Sequence, residues 1–187
     1  MLARLAGQSL TNEQRQGGVE FAQQFQDFWN KHNDDIFSFF KEHGFVLPDY
    51  WFAYPVHKWK NLIPFDDPLT FFIQEDFDLI LAEVVHEICH TFFSYYENKE
   101  VSERLWNGIQ KKFADEDETT KGHLLVILMT EACLIKIFGA EKAEELLVVE
   151  KHFEGLERAW QILDANPSTD KLNFVERINN LAPAKLL

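Results

Sequence analysis

The chain reads as one α+β domain, predominantly helical, with a small sheet ahead of its central helix. Three observations carry this. Apolar residues recur at three-to-four spacing along most of the chain, as they do in helices that bury one face. Between residues 45 and 74 that period disappears. There Pro48, Pro55, Pro64 and Pro68 forbid a long helix, and Tyr50, Trp51, Phe52, Tyr54 and Trp59 suit extended structure. Finally, no internal repeat or linker divides the 187 residues, a length that holds one substantial core. The domain falls into N-terminal helices (1–44), an extended segment (45–75), a central helical part (76–138) and C-terminal helices (139–187).

Taken in order, Thr11 and Gln14 fit a capping box that opens the first helix, in which Phe21, Ala22, Phe25, Phe28 and Trp29 form a stripe. Asn33 and Asp34 restart the helix, Ile36, Phe37, Phe39 and Phe40 give its apolar face, and Gly44 stops it. In the extended segment, residues 69–74 make the best strand, bounded by Asp-Pro and by acidic residues. A helix over 76–98 follows, with Phe77, Ile80, Leu81, Val84, Val85, Ile88, Cys89, Phe92 and Tyr96 on one face. Residues 101–113 form a shorter amphipathic helix, and Asp115 to Glu118 read as a solvated acidic loop. Residues 124–138 are apolar almost all round and predict a buried helix ended by Gly139. Leu146, Leu147, Val149, Phe153, Leu156, Trp160 and Leu163 mark one further helix. Leu172, Val175, Ile178 and Leu181 mark a last one, capped by Ser168 or Thr169.

Composition excludes several classes of function. With 46% hydrophobic and 14% aromatic residues, 18 of them Phe, the chain is globular. Its net charge of −13 would repel a nucleic-acid backbone or an anionic membrane surface. Cys89 and Cys133 each sit inside an apolar helical run, so no disulfide framework is expected. Neither a secretory signal nor a membrane-spanning run is evident, which makes a cytoplasmic setting the expectation.

The chemistry concentrates in the run His86-Glu87-Ile88-Cys89-His90. Residues four apart stack on one helix face, so both imidazoles can reach one metal ion. Glu87 is rotated about 100° from His86, beside such an ion rather than on it. His86, His90, Glu83, Glu87, Ser94 and Glu97 share the polar face, which is also what a solvated surface helix would display. The second informative group is Glu131, a single carboxylate in the middle of the apolar helix. Burial requires it to neutralise, to bind a metal, or to pair with Lys136, Lys142 or an arginine.

His86-Glu87-x-x-His90, with Thr130-Glu131-Ala132 about forty residues on, resembles the gluzincin branch of zinc metallopeptidases, the thermolysin-like group. The resemblance implies a compact zincin-like domain, with a Zn²⁺ cofactor held by His86, His90 and Glu131. It makes Glu87 the general base and a peptide or protein the substrate, bound at the edge of a small sheet within residues 45–74. The aspartate that many members carry four residues after the ligand glutamate is Ile135 here. For the oxyanion-stabilising group, His152 is the downstream candidate, with Tyr54, His57, Tyr95 and His123 as alternatives. Two other readings stand beside this one. Glu83-x-x-His86 and Glu87-x-x-His90 match the ligand spacing of di-iron helical bundles. An acidic, non-catalytic interaction or immunity-type protein would need no metal at all.

Overall fold

The computed structural model describes residues 11–48, 53–56, 69–151, 153 and 155–183. Among these the order is α1 (Asn12–Trp29), α2 (Asn33–Glu42), β1 (Ala53–Val56), β2 (Leu69–Phe72), α3 (Phe77–Ser94), a 3₁₀ turn (Tyr96–Asn98), α4 (Lys99–Lys112), α5 (Glu118–Phe138), α6 (Ala140–Glu150), α7 (Glu157–Asp164) and α8 (Phe174–Asn180). The strands pair in parallel, Ala53 opposite Leu69 and Val56 opposite Phe72, directly ahead of α3.

Helix α5 is the hub because its sequence leaves it no solvent face. Leu124 through Leu134 are all buried, and α2, α3, α4, α6, α7 and α8 pack around it. Asp117 caps its start by accepting from Thr120 N, and Gly139, at φ +83°, turns the chain off its end. The face that α3 turns to the core runs through Ile80, Leu81, Val84, Val85, Ile88 and Phe92, as the apolar period requires. Asp76 caps this helix through the N–H groups of Asp78 and Leu79. A second, aromatic layer joins α1 and α2 to it. Phe25 packs on Phe71 at 4.7 Å, Phe21 meets Phe77 edge-on at 5.6 Å, and Phe40 and Phe45 both lie against Phe92.

Several expectations are corrected. Helix α3 ends at Ser94, so Tyr96 falls in the 3₁₀ turn and is 81% exposed instead of extending the apolar stripe. The stripe from Leu146 to Leu163 is two helices, α6 and α7, separated by a turn in which Gly155 takes φ +91°. Val149 and Phe153 are exposed, so the shared period there is accidental. Asn173, not Ser168 or Thr169, caps the last helix by accepting from Glu176 N. The acidic run is not merely solvated. Asp117 is a cap, Glu116 pairs with Arg158, and Glu118 holds Lys121 at 2.9 Å. No described helix is long and apolar enough to cross a membrane.

Candidate metal centre

The polar face of α3 is only partly open to water: Ser94 is exposed, Glu83, Glu87 and His90 are half-buried, and His86 is buried. Helices α5 and α6 both pack on α3, and His86 is only 7% exposed. From α5, one turn past its N-terminus, His123 comes to the same place. One ring nitrogen from each of His86, His90 and His123 lies within 4.8 Å of the other two, close enough for the three residues to hold a metal ion. Ring centroids are 5.0 Å apart for His86–His90, 5.0 Å for His90–His123 and 5.8 Å for His86–His123. The Nε2 atoms of His86 and His90 are 3.2 Å apart. Two imidazoles on one tetrahedral ion at a Zn–N distance of about 2.0–2.1 Å would be separated by about 3.3 Å, so this pair is nearly at ligand spacing.

Two of the three rings, His123 and His86, have a polar contact on the far side. His123 Nδ1 donates to the Thr119 carbonyl at 2.8 Å, which leaves Nε2 as its acceptor. His86 Nδ1 lies 3.1 Å from Glu150 Oε1. That contact is at ion-pair distance but off the line of a ring N–H···O bond. Hence His86 Nδ1 and Glu150 Oε2 remain buried polar atoms without a well-directed hydrogen bond. Glu150 is the last residue of α6 and 5% exposed.

The charges follow from this packing. Burial pushes the His90 pKa down to about 3, and the neighbouring His86 and His123 lower it further. His123 is lowered too, by burial first, although the Thr119 carbonyl favours its charged form. Burial also works against a proton on His86, but Glu150, with Glu87 and Glu83 beyond it, outweighs burial and raises the pKa. His90 and His123 are thus neutral near pH 7, the form in which imidazole ligates.

The ligand set implied by the gluzincin resemblance is not assembled. Glu131 lies eight residues beyond His123 on α5, about 12 Å along the axis and about 80° around it. There Arg177 Nη1 of α8 binds Oε2, and Lys171 Nζ, from the segment before α8, meets Oε1 at 3.0 Å. The arginine partner weighed for Glu131 from sequence is therefore the one found, and the carboxylate is not part of the histidine cluster. Glu87 sits half-buried beside the cluster on α3, and its charge acts on His86. Tyr95 follows α3 directly, past its last turn. His152, His57 and the side chain of Tyr54 lie outside the described residues.

Sequence reasoning weighed His123 only as an oxyanion group and missed Glu150. His123 directly precedes the apolar run of α5, and only the packing of α5 on α3 gives it its role. Nothing in Val148-Val149-Glu150-Lys151 marks Glu150 as buried. Comparison with protein-family models, with curated proteins and with solved structures gives no match.

Proposed function

We propose that the chain is a zinc-dependent hydrolase, a peptidase, whose ion is held by His86, His90 and His123 and whose general base is Glu87. The meeting of three imidazoles from two helices, with ring nitrogens within 4.8 Å of one another, carries the reading. The neutral state of His90 and His123, and the far-side contacts of His86 and His123, fit the donor set that zinc takes. Zinc held by these three imidazoles would supply Lewis acidity and would acidify a water molecule.

The chain's own residues do the rest. Glu87 follows His86 by one residue, so the helix sets its carboxylate beside the ligands, where it takes a proton from water and passes it to the leaving amine. The zincin-like arrangement enters only in local form, as paired strands ahead of the motif helix, with His123 in place of Glu131 as third ligand. Two buried, unpaired thiols fit a cytoplasmic setting.

Replacing Glu87 by Gln separates binding from chemistry. The expectation is full zinc content, with hydrolysis of labelled casein reduced at least about 100-fold. Unchanged hydrolysis would remove Glu87 from the mechanism. Full zinc content without casein hydrolysis in the unaltered protein would instead favour a non-catalytic metal protein.

A further inference from the structure

Among the described residues, the chargeable group in ion-pair contact with Glu150 is the His86 imidazole. The basic side chains nearest it along α6 are committed elsewhere. Lys151 pairs with Asp164 at 2.8 Å, and Lys142 pairs with Glu145 at 3.1 Å and with Asp78 at 3.6 Å. The Glu150 side chain is 7% exposed, its Oε1 is 3.1 Å from His86 Nδ1, and its Oε2 has no hydrogen-bond partner among the described residues. By stability alone this is a poor use of two buried positions, because a pair of apolar side chains of similar volume is commonly as stable as a buried ion pair or more so. The contact does fix one thing. It engages Nδ1 of His86 and so turns Nε2 toward His90, with the two Nε2 atoms at 3.2 Å. His123 gets the same orientation from the Thr119 carbonyl, a neutral acceptor. Of the two devices, only the one on His86 carries a charge, and a carboxylate behind a ligating imidazole raises its basicity as well as setting its tautomer.

We propose that Glu150 is a positioning residue of the metal centre, which holds His86 as an Nε2 ligand and raises the affinity of the site for a divalent cation. This rests on the metal-centre reading above, but it fails separately from it. The test is Co²⁺ titration, followed by visible absorption, of the unaltered chain, Glu150→Met and Glu150→Gln, with thermal melting of each metal-free protein alongside.

The expected result is saturable Co²⁺ binding by the unaltered chain and binding about 10- to 100-fold weaker in Glu150→Met. Glu150→Gln, which keeps an acceptor but no charge, should fall between them. The metal-free Met variant should still unfold in a single cooperative transition, so that its affinity is read on a folded protein. Equal Co²⁺ affinity in all three proteins would overturn the role of Glu150 and leave the metal centre standing. A lower melting temperature with unchanged affinity would overturn it too, by making Glu150 a packing element. No Co²⁺ binding by the unaltered chain would overturn both proposals.

Discussion

Glu131 and Glu150 are both buried carboxylates, and they differ in what neutralises them. Glu131 is held by a guanidinium and an ammonium, so its removal leaves Arg177 buried without its counter-charge. Glu131→Ala should therefore lower stability by about 3–5 kcal/mol in urea unfolding while leaving bound zinc at the unaltered level. Loss of zinc in a folded Glu131→Ala protein would restore the carboxylate as a ligand. The thiols give a second prediction at this scale. Burial raises the pKa of Cys89 far above its usual value and raises that of Cys133 as well. Both should stay unmodified by a thiol-disulfide reagent at pH 8 and react only on unfolding; rapid labelling of the native protein would contradict their burial. A buried carboxylate with a choice of partners was legible at Glu131, because an apolar helix announces the burial of anything inside it. Which partner it takes was not, since Arg177 comes from a distant helix whose position is set by packing.

At the scale of elements, period and punctuation located the structure wherever both agreed. Helix α3 with Asp76 at its start, the end of α5 at Gly139 and the strand beginning at Leu69 all rest on a sequence pattern with a clear stop. The stripe through α6 and α7 misled because two short helices in one line can share a period across a turn, and Gly155 alone gives a weak break. Helix α8 is short and depends on its neighbours. Lys112 of α4 donates to the carbonyls of Ile178, Asn179 and Leu181 at its C-terminal end. Lys112→Met should speed amide exchange across α8 and cost about 1.5–3 kcal/mol, leaving the protection of α3 unchanged. If exchange in α8 does not change, those contacts do not anchor it.

For the molecule as a whole, the centre joins three elements that the chain brings together by different routes. The three imidazoles come from α3 and α5, and α6 supplies the carboxylate behind His86. Half of this was readable, because His86 and His90 lie on one helix at a spacing that fixes their relation. The third imidazole depended on how α5 crosses α3, which no local pattern encodes. An ion bound there ties the helices to one another and must stabilise the fold. At a free zinc concentration 100 times the Kd the gain is about 2.7 kcal/mol, or roughly 5–10 °C in melting temperature for a chain of this size. The most direct measurement is zinc content per chain by elemental analysis, after dialysis, of the unaltered protein and of His123→Ala. The account predicts one zinc per unaltered chain and none in a folded His123→Ala protein. Full zinc in that variant, or none in the unaltered chain, would contradict it.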